Sequence, residues 1–116
     1  MWDATIPGRP PTGGKRKTAR TLKHPWTQNL MQQAQGAAKQ TRGQVKADIW
    51  LFLANTQAQP TGDLDNYAHV ILNALKHKDA DCLLRDDGDV RDLWIRRRTV
   101  LSQDHEGVRI RLRWSG

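Results

Sequence analysis

The chain of 116 residues is expected to form one α+β domain, with elements in the order β-α-β-α-β-β and helices packed on a mixed sheet. Three observations lead there. Two stretches carry apolar residues at helical spacing, and GVRIRLRW alternates apolar and polar residues with period two. KADIWLFLAN, residues 46–55, is apolar on both alternations.

DATIP, residues 3–7, predicts a short strand. After it, glycine and proline break every periodicity, so residues from about 8 to 24 read as a basic loop. His24-Pro25 opens a helix, because proline suits the first helical position. Trp26, Leu30, Ala34, Ala37, Ala38 and Thr41 form its stripe, and Gly43 stops it. Residues 46–55 predict a strand covered on both faces, with Ile49, Leu51 and Leu53 on one side and Trp50, Phe52 and Ala54 on the other. TQAQPTG is a loop. A second helix is expected from Asp65 or Asn66 to His77, with Tyr67, Val70, Ile71, Ala74 and Leu75 among its buried residues. VRDLWIRRRTVL and GVRIRLRW then predict a strand pair joined by SQDHEG. The whole chain, 1–116, is taken as a single domain without internal repeats.

Charge narrows the function classes. The net charge is +7 and the pI about 10.2, which favours a polyanionic partner. Nucleic acid is expected ahead of a membrane surface, since no basic amphipathic helix is evident. No run approaches a membrane span, and MWDATIPGRPP lacks a signal peptide's apolar centre. Cys82 is the single cysteine, which excludes an internal disulfide and a cysteine-rich zinc site. A cytoplasmic location is the expectation.

The acids are unevenly placed. Between Asp3 and Asp48 there is none, whereas eight of the twelve lie between Asp63 and Asp92. Turns and caps account for Asp79, Asp81 and Asp104. Asp63, Asp65 and Asp87 fit that account less well. If Asp63-Leu64-Asp65 is extended, its two carboxylates point to one side, where their repulsion calls for a shared proton or a metal. Hard oxygen ligands suit magnesium, with manganese as a substitute. Helix capping by Asp63 or Asp65 explains the pair equally well. The following helix tips the balance toward a site. Asn66, His69, Asn73 and Lys76 form one polar stripe at helical spacing, and two asparagines and a histidine suit a cleft wall better than a solvated face.

The run GDLDNYAHVILNALK followed by RDDGDV resembles the signature of the RusA family of Holliday-junction resolvases, and the basic IPGRPPTGGKRKTAR resembles that family's opening. The resemblance implies a homodimeric endodeoxyribonuclease that binds branched DNA, the four-way junction, and cuts it by magnesium-assisted phosphodiester hydrolysis. It implies Asp63, Asp65 and Asp87 as metal ligands and catalytic residues, with Asn66 matching the asparagine after the pair. Where family members often carry a catalytic lysine this chain has His69, and extra residues around HKDAD precede the second motif.

DNA contacts are expected from Lys15, Arg16, Lys17 and Arg20 in the basic loop and from Asn66, Asn73 and Lys76 on the helix. Arg109, Arg111 and Arg113 share one face of their strand and could track a backbone, or simply be solvated. Two alternatives to the resolvase reading are a non-catalytic basic DNA-binding protein and a metal-dependent nuclease with another DNA substrate. Replacing Lys15, Arg16 and Lys17 together by alanine is expected to flatten the salt dependence of DNA binding. Each lost phosphate contact should lower the log–log slope by about 0.9, read from binding isotherms at several salt concentrations.

Overall fold

Strand β2 (Gln44–Ala54) lies inside a four-stranded sheet and meets a different kind of neighbour on each side. The computed structural model describes residues 1–11, 18–37, 43–54, 64–85 and 87–115. On one side β2 pairs parallel with β3 (Val90–Val100), from Val45 opposite Val90 to Ala54 opposite Val100. On the other it pairs antiparallel with β4 (Gly107–Ser115), which in turn pairs antiparallel with β1 (Trp2–Pro7). The sheet order is therefore β1-β4-β2-β3. Among the described residues the helices are α1 (Thr18–Lys23), α2 (Pro25–Ala34) and α3 (Leu64–Lys76), with 3-10 turns at Lys78–Ala80, Asp87–Asp89 and Gln103–His105. This is the α+β fold with a mixed sheet that the sequence predicts.

The core lies on one face of that sheet. Val45, Ala47, Ile49, Leu51 and Leu53 of β2 and Val108, Ile110 and Leu112 of β4 are buried, in one cluster with Trp26, Leu30 and Met31 of α2 and Tyr67, Ile71 and Leu75 of α3. Burying a side chain of this size contributes about 1.5–3 kcal/mol, so these layers outweigh any single polar contact. α2 starts where expected. Pro25 occupies its first turn and His24 caps it, its Nδ1 accepting from the Trp26 amide at 3.1 Å.

Several expectations need correction. β3 and β4 do not form a hairpin, because β2 stands between them. SQDHEG instead carries the chain across the end of β2, from Val100 beside Ala54 to Gly107 beside Phe52. Nor is β2 covered on both faces. Asp48, Trp50 and Phe52 are only half-buried, for among the described residues no helix packs on their side. The first helix ends at Ala34 rather than near Gly43, since Gln35 turns to ψ 135° and Gly36 adopts a φ of 84° that favours glycine. Residues 38–42 of that stretch lie outside the described residues. The basic opening contains α1, and α3 begins at Leu64, which puts Asp65 in a helical turn rather than an extended segment.

Glu106 locks the open end of β2. Its buried carboxylate accepts from the Ala54 amide at 2.8 Å and from Arg9 Nε at 3.0 Å, while Arg9 Nη2 also reaches the Ala54 carbonyl at 3.1 Å. The Gly8 amide donates to the Glu106 carbonyl at 2.8 Å. Burial pushes the Glu106 carboxyl up, but the Arg9 hydrogen bond, the Ala54 amide and the charge of Arg9 outweigh it and hold it below the usual range.

Removing that carboxylate leaves a half-buried guanidinium and a buried amide unpaired. Glu106→Ala is expected to lose about 3 kcal/mol in denaturant unfolding, and Glu106→Gln less, because the amide oxygen still accepts from Ala54. A depressed folded pKa gives stability that is complete above the unfolded value of about 4.3 and is lost as pH falls through the folded one. Wild type should therefore destabilise more steeply than Glu106→Gln below about pH 4.

Candidate functional site

The acid-headed edge of α3 is the first candidate. Asp65 and Asn66 are exposed in its first turn, where the helix dipole favours a carboxylate. His69 and Asn73 follow one turn apart and half-buried, with Asn73 Nδ2 2.9 Å from His69 Nε2. With Nδ2 presented to the ring, the amide donates and the ring nitrogen accepts. An imidazolium at His69 requires the amide to turn and present Oδ1. Lys76, also half-buried, ends the stripe.

The other expected residues fall elsewhere. Asp63, Lys15, Arg16 and Lys17 lie outside the described residues, as does the side chain of Asp87. Arg20 is exposed on α1. The backbone nevertheless decides how α3 and Asp87 are related. Near the start of α3, Tyr67 interacts with the Arg9 guanidinium, which donates to the Ala54 carbonyl at the far end of β2. At the other end of α3 the Leu84 amide donates to the Leu75 carbonyl at 3.1 Å. From there the chain passes Asp87 and enters the sheet at Val90, beside Val45. Asp65 thus belongs to one end of the crossover and Asp87 to the other, and the strand between Val45 and Ala54 spans about 30 Å. Among the described residues no three His, Cys, Asp or Glu side chains come close enough to hold a metal.

Asp79, Asp81 and Asp104 do sit in turns. Asp81 caps a 3-10 turn with φ 54° and accepts from the Gly36 amide at 2.6 Å, tying the end of α2 to the crossover.

A second surface was not anticipated as a unit. Lys46, Arg96, Arg98, Arg109, Arg111 and Arg113 occupy the face of the sheet opposite the helices, together with Trp50, Phe52 and Trp94. Arg109 and Arg111 reach Asp3 at 2.9 and 3.5 Å, and Arg113 reaches Asp48 at 3.2 Å. Hydrogen bonds from Arg109, with smaller effects from Arg111, hold the Asp3 carboxyl below its usual range despite some desolvation. Trp50 lies under three guanidiniums, those of Arg96, Arg109 and Arg111, at 5.7, 5.1 and 5.5 Å from its ring centre. The signal was present in the sequence: the alternation that contains Trp50 and Phe52 begins with Lys46 and Asp48. A polar start is wrong for a buried face.

Comparison with known proteins leaves these residues to speak for themselves. No protein-family model matches the chain, and no curated protein is significantly similar to it.

Proposed function

We propose that this protein is a magnesium-dependent endodeoxyribonuclease of the RusA type, which binds branched DNA and resolves four-way junctions by phosphodiester hydrolysis. The observation that carries the proposal is the head of α3. Asp65 of the GDLDN run is exposed there beside Asn66, with the His69–Asn73 pair behind it on the same helix. An exposed carboxylate is a hard oxygen donor, suited to magnesium, which takes few protein ligands and keeps several waters.

In this reading Asp63, Asp65 and Asp87 hold the magnesium, with manganese as a substitute. When bound, the metal supplies Lewis acidity at the scissile phosphate and a water of lowered pKa. Asn66 and Asn73 orient DNA by hydrogen bonding, and Lys76 offers a cation to the backbone. His69 moves a proton or, as imidazolium, balances phosphate charge. Lys15, Arg16, Lys17 and Arg20 neutralise further phosphates.

The crossover bears on assembly. In this reading, with Asp65 and Asp87 toward opposite ends of α3, a site using both would draw them from two chains. A twofold homodimer supplies two such sites, matched to the two equivalent strands of a junction. A non-catalytic DNA-binding role is the second reading, favoured by the arginine- and tryptophan-bearing sheet face. A magnesium titration of cleavage, comparing a labelled four-way junction with linear duplex, separates the two. No magnesium-dependent cutting of either substrate would overturn the nuclease proposal.

Asp65→Asn and Asp87→Asn are each expected to abolish cleavage while leaving junction binding intact or tighter without metal. Dissociating and remixing the two inactive variants should restore about a quarter of wild-type sites, because half the dimers are mixed and each then holds one unmutated pair. No recovery would place all three acids within one chain.

His69 makes a separate prediction about pH. His69→Ala should lose most rate in the acidic half of the profile if the side chain acts as a cation or proton donor. His69→Lys should cut at least as well as wild type at alkaline pH. Rates from about pH 6 to 9 at saturating magnesium decide the matter, and an alanine variant with the wild-type profile would leave His69 a wall residue.

A further inference from the structure

The face of the sheet opposite the helices carries six basic side chains and three acidic ones, Asp3, Asp48 and Asp92. Its most exposed aromatic is Trp94, at 62%. Trp94, Arg96 and Arg98 take successive same-face positions on the edge strand β3, about 6.6 Å apart. Arg96 has its guanidinium 5.5 Å from the Trp94 ring centre. Among the described residues neither Arg96 nor Arg98 has a carboxylate partner, whereas the arginines of β4 are paired with Asp3 and Asp48. The ring of Trp50 has three cations over it, whereas that of Trp94 has one, Arg96, and remains mostly exposed.

We propose that this face is a binding platform for single-stranded nucleic acid, in which Trp94 stacks an unpaired base and Arg96 and Arg98 hold the phosphates that flank it. Charge selects the occupant. A second copy of the chain laid face to face would oppose two surfaces of the same excess positive charge, whereas a phosphodiester strand neutralises it. The open ring selects the form of the strand. An unpaired base can stack on it, while the bases of a duplex are already stacked on one another. The platform lies across the sheet from α3 and does not depend on the metal-site proposal.

The test uses the full chain without divalent metal, titrated into fluorescein-labelled oligothymidylate and followed by anisotropy. Wild type is expected to bind, and Trp94→Ala to weaken binding about tenfold, with Trp94→Phe recovering most of it. Arg98→Ala should weaken binding and lower the salt slope by about 0.7, the value for one phosphate of a single strand. Trp94 and Arg98 are exposed, so circular-dichroism melting of each variant should match wild type and exclude unfolding. Unchanged affinity in both Trp94→Ala and Arg98→Ala overturns the platform. So does a dimer that Trp94→Ala dissociates in sedimentation while oligothymidylate binding is unaffected, since the face would then belong to a second copy. Binding that needs Trp94 in a protein unable to cut junctions with magnesium would sink the nuclease proposal and leave the platform standing.

Discussion

The parallel pairing of β2 with β3 governs the rest of the molecule. Two parallel neighbours cannot be joined by a tight turn, so the chain must cross back over the sheet between them. Among the described residues, α3 forms the body of that crossing. Its apolar side, with Tyr67, Ile71 and Leu75, covers one face of the sheet beside α2. No described helix remains for the other face. Side chains there must tolerate water, and the arginines, aspartates and lysine of that face do. Trp50 is shielded by guanidiniums where a helix would otherwise lie, an arrangement in which cations gain from the ring while their charged heads stay hydrated.

The same crossing sets the geometry of the candidate site. A helix of thirteen residues, Leu64 to Lys76, advances about 18 Å along its axis. Residues at its head and residues that follow its tail are therefore held apart. In the sequence the two acidic motifs are separated by little more than this helix and its closing turns, and Asp65 and the backbone of Asp87 lie toward opposite ends of it. Glu106 and Arg9 stand at the end that holds the head of α3, and their ion pair joins the start of the basic segment to β2 and β4. Arg9, at the start of the basic opening, is thus held at the same end as Asp65.

Much of the fold was legible in the chain because periodicity reports burial directly. GVRIRLRW alternates, and its Val108, Ile110 and Leu112 are buried with Arg109, Arg111 and Arg113 on the opposite face. α3 was visible for the same reason. The extent of α2 was misjudged because Ala37, Ala38 and Thr41 continue its stripe, while the backbone at Gln35 and Gly36 had already left the helix. The candidate site was legible as motifs. GDLDN precedes the body of α3, and the helical spacing of His69 and Asn73 put them on one stripe, where they are in contact.

By itself, then, the sequence determined the fold class, the principal strands and helices and the excess of positive charge, since composition and local spacing carry these. Tertiary structure alone decided which strands are neighbours, because pairing joins residues far apart in the chain and no local pattern distinguishes a hairpin from a strand inserted between two others. That choice put β2 between β3 and β4 and gathered arginines from two strands around Trp50. It also set Asp65 and Asp87 at opposite ends of one crossover, since the direction of a strand, unlike its hydrophobic pattern, is fixed only by its partner.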